Sequence, residues 1–180
     1  IVNSLPRLER LETLVRDDRN TNFTVNIPKN IEALSVSPWV LYSRRIEIPP
    51  RFFKVSVIIK KMGLNESASN LIISSINNNV SLAFSPYAKN IEGSILNARR
   101  AGFETYMSII LSSRDFLKRD TGPKAINLNI DTDEISETLS SVIDINVPIG
   151  GIVLEGDVQS GDVGKTASLL EEINKKGLLL

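Results

Sequence analysis

The feature that most constrains this chain is an alternation of short apolar runs with helix-like segments, which begins at Lys54. The apolar runs are rich in β-branched residues, as buried strands are, and the segments between them have the apolar spacing of helices. The predicted strands are 55–59, 80–84, 104–111, 151–154 and one that begins at 178, and the predicted helices are 64–76, 90–100, 131–142 and 163–175. This alternation predicts a parallel sheet with right-handed crossovers, either an open doubly wound sheet or part of a barrel.

The first 50 residues lack this alternation. Leucine and valine side chains at helical spacing predict a short amphipathic helix over 4–17. Residues 21–50 hold four of the eight prolines and short β-like pieces such as 38–42. We interpret residues 1–50 as an arm that packs across a domain formed by residues 51–180. Trp39 is expected to be a packing anchor of this arm, and stacking on a sugar ring is its alternative role.

Composition narrows the possible chemistry. The chain has no histidine and no cysteine, so any metal would have to bind through oxygen ligands. Lysine plus arginine equals aspartate plus glutamate at 21 each, which gives no reason to expect nucleic acid or an anionic membrane as a partner. No apolar run is long enough to span a bilayer. Because the chain begins with Ile1 and ends in an apolar strand, we expect a processed or C-terminally incomplete form.

Several motifs are similar to those of one family. Residues 58–64 read IIKKMGL, like V-I-D-D-L-G-L after a first strand, and 81–88 read SLAFSPYA, like T-L-A-F-S-P-Y-A after a second. Residues 98–104 read ARRAGFE, like A-R-x-x-G-H-E, and 120–123 are similar to D-P-G-P. Over residues 38–180 the chain therefore resembles the divergent polysaccharide deacetylase family. The resemblance implies an irregular (β/α) barrel, here partial and with an N-terminal arm.

The departures from the family pattern affect its polar positions. Lys60 and Lys61 replace two acids, Phe103 replaces a histidine, Ser112 replaces another acid, and Glu104 keeps its polar identity. Deacetylation in the wider superfamily is metal-assisted hydrolysis. Two ammonium groups repel a dication, by about 4 kcal/mol per unit charge pair at ~4 Å and intermediate dielectric. We therefore expect no metal, no cofactor, no catalytic residue and no deacetylase activity.

The candidate binding residues are Lys60, Lys61, Ser85, Tyr87 and Glu104. The two lysines could bind an anion, such as the carboxylate of an acidic sugar or a peptide stem. Alternatively, one lysine extends into solvent and the other pairs with Glu104 or Glu155. Ser85 and Tyr87 could line a groove and stack a sugar ring, or they could form a tight turn whose tyrosine packs at the barrel mouth.

These interpretations lead to one principal hypothesis. The resemblance implies a bacterial cell-envelope protein, with a periplasmic location, that takes part in carbohydrate metabolism. We expect a non-catalytic domain that binds a glycan or an envelope protein. One alternative is an active polysaccharide or peptidoglycan deacetylase that relies on residues outside the usual motifs. The other is a purely structural interaction module that uses the 1–50 arm.

Overall fold

The computed structural model describes residues 11–16, 22–27, 37–43, 53–112, 122–143, 147–156 and 162–179. The strands in these ranges are β1 (Leu11–Arg16), β2 (Asn22–Ile27), β3 (Ile58–Met62), β4 (Ser81–Phe84), β5 (Glu104–Ser112), β6 (Ile126–Asn127) and β7 (Gly151–Glu155). The helices are α1 (Pro38–Tyr42), α2 (Glu66–Ser75), α3 (Ile91–Arg100), α4 (Thr132–Ile143) and α5 (Val163–Lys175). The structure therefore confirms a mixed α/β architecture.

The main sheet is parallel, and its strands lie side by side in chain order. β4 pairs with β3 on one side and with β5 on the other, and β7 pairs with β5. Leu179 forms a parallel bridge to Gly151 of β7, while the short β6 pairs with the last two residues of β5. Strands that are added in chain order without reversal are typical of a (β/α) barrel, whereas a doubly wound sheet reverses direction. Over the described residues the sheet is open between β3 and Leu179.

Local capping explains where the helices begin and end. Asn65 caps α2 by accepting a hydrogen bond from the Ala68 amide at 3.0 Å. Asn90 caps α3 in the same way, through the Gly93 amide at 3.1 Å. After α5 the chain turns at Gly177, which has a φ of 69° that glycine adopts without steric cost. The boundaries of α2, α3, α4 and α5 agree with the predicted ones to within two residues.

The core lies between the parallel sheet and its helices. All four residues of the central strand β4 are buried, as expected of a parallel strand covered on both faces. The largest fully buried side chains come from several different elements: Phe84, Phe103, Ile95, Leu139, Leu169 and Met62. The alternating βα pattern therefore produces a single continuous apolar cluster.

The predicted helix over 4–17 is wrong for residues 11–16. These residues form β1, which pairs antiparallel with β2, with Leu11 opposite Ile27 and Val15 opposite Phe23. Apolar residues at 11 and 15 fit a strand as well as a helix, because with Thr13 they also alternate along one face. The prediction rested on apolar residues at helical spacing in this N-terminal segment. Residues 4–10 and 17 of the predicted helix lie outside the described residues.

The prediction of a β-like piece at 38–42 is also wrong, since these residues form helix α1. Pro38 occupies the first helical turn, where its fixed φ favours a helix and its missing N–H is not needed. Trp39 was expected to be the packing anchor, but it is 44% exposed. The buried aromatic residue of α1 is Tyr42. The Trp39 amide donates to the Gly177 carbonyl at 3.3 Å, which joins α1 to the end of α5.

None of the helices among the described residues is long and apolar enough to cross a bilayer.

Candidate functional site

The carboxyl edge of the main sheet, defined here as the ends of β3, β4, β5 and β7, brings together residues that are distant in sequence. Lys60 and Lys61 come from β3, Ser85 follows β4, Ser112 ends β5 and Glu155 ends β7. The Lys60 ammonium nitrogen lies 2.9 Å from Glu155 Oε2, with side chains 47% and 20% exposed. This pair joins two strands that are separated by β4 and β5. Of the two partners considered for these lysines, Glu155 is the observed one.

A β-bulge sets the position of the two lysines. Ile59 lies opposite Leu82 and Met62 opposite Phe84, so Lys60 and Lys61 together face the single residue Ala83. Lys61 has a φ of 64°, the only positive value at a non-glycine position in the described chain. Bulges bend a strand and change the direction of a side chain, and they are frequent beside binding sites. A lysine in the left-handed region is held there by its surroundings at some cost.

The charge on Glu155 is stabilised by its neighbours. Burial alone would raise the pKa of the Glu155 carboxyl, but the hydrogen bond from Lys60, the nearby Ser108 hydroxyl and the charges on Lys60 and Lys61 lower the pKa below its usual value. The Ser108 hydroxyl is buried and makes no hydrogen bond of standard geometry within the described part of the chain. We therefore regard its effect on Glu155 as an electrostatic one. The carboxylate is ionised at neutral pH and engaged with Lys60.

Ser85 and Tyr87 form a tight turn after β4. The buried Ser85 hydroxyl accepts a hydrogen bond from the Tyr87 amide at 3.3 Å. The Tyr87 hydroxyl accepts one from the Lys124 amide at 2.9 Å, and Lys124 Nζ donates to the Pro86 carbonyl at 2.7 Å. The ring lies against Gly122, where an added Cβ would be 2.7 Å from the hydroxyl. Tyr87 thus connects two loops at the carboxyl edge, and its ring is partly buried rather than freely presented.

The structure does not bring Glu104 together with the other four candidate residues. Glu104 is the first residue of β5, so it lies at the opposite, amino edge of the sheet. There its carboxylate accepts a hydrogen bond from the Ser81 hydroxyl at 3.0 Å. Phe103 also precedes β5, and only 1% of it is exposed. The residue that replaces the family histidine therefore lies in the core at the amino edge of the sheet.

A buried cluster at the amino edge was not predicted. Arg99 donates hydrogen bonds to the carbonyls of Tyr42 and Phe103 at 2.8 and 3.2 Å, and its guanidinium lies 5.3 Å from the centre of the Tyr42 ring. Burial lowers the pKa of Arg99, and burial followed by the charge of Glu104 raises the pKa of Tyr106. This cluster attaches α1 to the sheet. The sequence signal for it was a basic last turn in α3, which is a common helix feature.

Comparison with known proteins is consistent with this geometry. The sequence model of the divergent polysaccharide deacetylase family matches residues 57–180, which is more than half of the chain. The chain belongs to this family. A crystal structure of an uncharacterized protein from Agrobacterium tumefaciens C58 has the same fold, with a TM-score of 0.71 and 18% sequence identity. The match covers 93% of this chain and 63% of that protein, so the chain spans less than two thirds of its length. No curated protein matches the chain.

The divergent polysaccharide deacetylase fold raises the question of whether this carboxyl edge could hold a divalent metal. Among the described residues, no group of three or more histidine, cysteine, aspartate or glutamate side chains is arranged to bind one. The carboxylate at this edge, Glu155, is already bound by Lys60. Two ammonium groups beside it make the local field unfavourable for a dication. The described residues at the carboxyl edge therefore do not fit a metal.

Proposed function

We propose that this divergent polysaccharide deacetylase domain is non-catalytic and that its carboxyl edge binds a glycan. The ion pair between Lys60 and Glu155 is the observation that carries the proposal. It fills the part of the sheet where strand ends of a (β/α) fold normally present catalytic groups. A binding surface requires only that these groups contact a ligand, whereas hydrolysis requires that they activate water.

The protonation state of Glu155 supports a non-catalytic role. A general base is most effective when its pKa is close to the working pH. The pKa of Glu155 is instead lowered, and the carboxylate accepts a hydrogen bond from Lys60 at 2.9 Å. With no histidine anywhere in the sequence, the usual replacement base is also absent. Glu155 is therefore a weak base that has a structural partner.

The biological setting that we propose follows from the family alone. Because the family is one of polysaccharide deacetylases, we propose a bacterial envelope glycan as the ligand and the periplasm as the location. An active deacetylase that uses residues outside the usual motifs is the competing enzyme hypothesis. The lowered pKa of Glu155 argues against it.

A protein-interaction role is the second candidate function, and exposed apolar side chains favour it. Phe53 is 100% exposed, Val55 is 83% exposed and Leu71 is 65% exposed. Phe53 and Val55 lie in the segment that leads into β3, and Leu71 lies in α2. Large exposed apolar patches commonly mark contacts with other proteins.

One experiment separates the three hypotheses. The purified chain is incubated with N-acetylated glucosamine oligomers, with and without a divalent cation, and both oligomer binding and acetate release are measured. We expect binding without acetate release under either condition. Acetate release above the level of a heat-denatured sample contradicts the non-catalytic proposal. Absence of both binding and release contradicts glycan recognition and favours the protein-interaction role.

A further inference from the structure

We propose that the carboxyl edge recognises a carboxylate carried by the glycan, and that Lys61 is the residue that contacts it. This inference rests on the proposed glycan-binding function and narrows the ligand to acidic sugars. The two neighbouring lysines have different roles in it. Lys60 is held by Glu155, while Lys61 supplies the positive charge available to a ligand.

The charged side chains at the carboxyl ends of β3, β4, β5 and β7 are Lys60, Lys61 and Glu155, which leaves one unit of positive charge there. Glu155 offsets Lys60 at 2.9 Å. Lys61 is exposed, and among the described residues no hydrogen bond or ion pair engages its ammonium group. Its charge nevertheless reaches Glu155, since it contributes to the lowered pKa of that carboxyl. One net positive charge matches a single carboxylate better than a neutral sugar or a dication.

The backbone at Lys61 supports a binding role independently of charge. Its φ of 64° is unfavourable for a residue with a side chain, and it occurs within the bulge between Ile59 and Met62. The adjoining segment is fixed, because the Met62 carbonyl accepts from the Ser85 amide at 3.0 Å and the Gly63 amide donates to Ser69 Oγ at 2.8 Å. Strained backbone of this kind concentrates at functional sites. The bulge therefore presents Lys61 in a fixed position.

The ion pair with Lys60 limits how strongly Glu155 competes with a ligand for Lys61. The Ser108 hydroxyl is 4% exposed and helps to keep the Glu155 carboxyl ionised. An ionised Glu155 remains bound to Lys60 at the carboxyl edge. Lys124, the other cation tied into this region, donates to the Pro86 carbonyl at 2.7 Å. Lys61 is thus the cation at the bulge whose ammonium group can accept a new carboxylate partner.

The test uses two tetrasaccharides of equal length. One alternates N-acetylglucosamine with N-acetylmuramic acid, which carries a carboxylate, and the other is chitotetraose, which does not. Calorimetric titration of the chain at low salt should give about tenfold tighter binding of the acidic oligomer, the effect of one hydrogen bond between charged groups. The preference should shrink as salt screens the interaction. Methyl esterification of the carboxylates should remove it.

Matched lysine variants assign the effect to a residue. Lys61→Gln should abolish the preference for the acidic oligomer, whereas Lys54→Gln, at an exposed lysine before β3, should retain it. Circular dichroism and thermal unfolding establish that both variants are folded. Equal binding of the two oligomers by the unmodified chain overturns this inference but leaves glycan binding intact. Binding of neither oligomer overturns both, and an unchanged preference in folded Lys61→Gln overturns the role of Lys61.

Discussion

Replacing Lys61 with glycine measures the strain at the end of β3. A residue with a side chain in the left-handed region costs about 1–2 kcal/mol, and Lys61 has a φ of 64°. Glycine removes that cost, but its greater freedom in the unfolded chain lowers stability by about 0.5–1 kcal/mol. The difference predicts that Lys61→Gly raises the free energy of unfolding by between zero and about 1.5 kcal/mol. Most glycine substitutions in strands do the opposite.

The adjacent lysine provides the control. Lys60 lies in the same strand but has no positive φ, so Lys60→Gly should lower the free energy of unfolding by about 1 kcal/mol from glycine alone. Loss of its half-exposed ion pair adds at most about 1 kcal/mol. Urea unfolding followed by circular dichroism gives both values, provided that the slope with urea is unchanged. If Lys61→Gly destabilises the protein as much as Lys60→Gly does, the strain argument is refuted.

Two further substitutions test the amino edge and the loops of the carboxyl edge. Gly102→Ala should lower the free energy of unfolding by about 1–3 kcal/mol. The reason is that φ is 85° there and an added Cβ would lie 2.5 Å from Asn78 Nδ2. An unchanged melting temperature would contradict this prediction. Tyr87→Phe should cost about 1 kcal/mol, since the Lys124 amide loses its acceptor, and hydrogen exchange at that amide should become faster. Unaltered exchange would mean that the hydroxyl does not hold the loop.

The sequence predicted the central fold well because that part depends on local signals. β4 and α3 lie within one residue of their predicted limits, since a short apolar run marks the strand and an Asn cap marks the helix. β3 begins three residues later than predicted, at Ile58, which is the first residue with a partner in β4. Val55 and Val57 precede the strand and are exposed. The hairpin of β1 and β2 was missed because pairing across strands is not a local signal.

The candidate site was predicted in part. Lys60, Lys61, Ser85 and Tyr87 follow the ends of parallel strands, so sequence order alone placed them at one edge. The position of Glu104 at the amino edge could not be predicted, because a resemblance identifies a position in a motif and only strand direction shows which edge that position occupies. Left-handed backbone at Lys61 gives no sequence signal, since lysine has no preference for it.

The central claim is that an ion pair between Lys60 and Glu155, and not a bound metal, organises the carboxyl edge of this deacetylase-family domain. Carbon-detected NMR titration of the Glu155 carboxyl, with and without a divalent cation, tests it directly. We predict a pKa below the ordinary glutamate range, a higher pKa in the Lys60→Gln variant, and no response to the cation. An ordinary or raised pKa, or a Glu155 carboxyl signal that shifts when the cation is added, would contradict the claim.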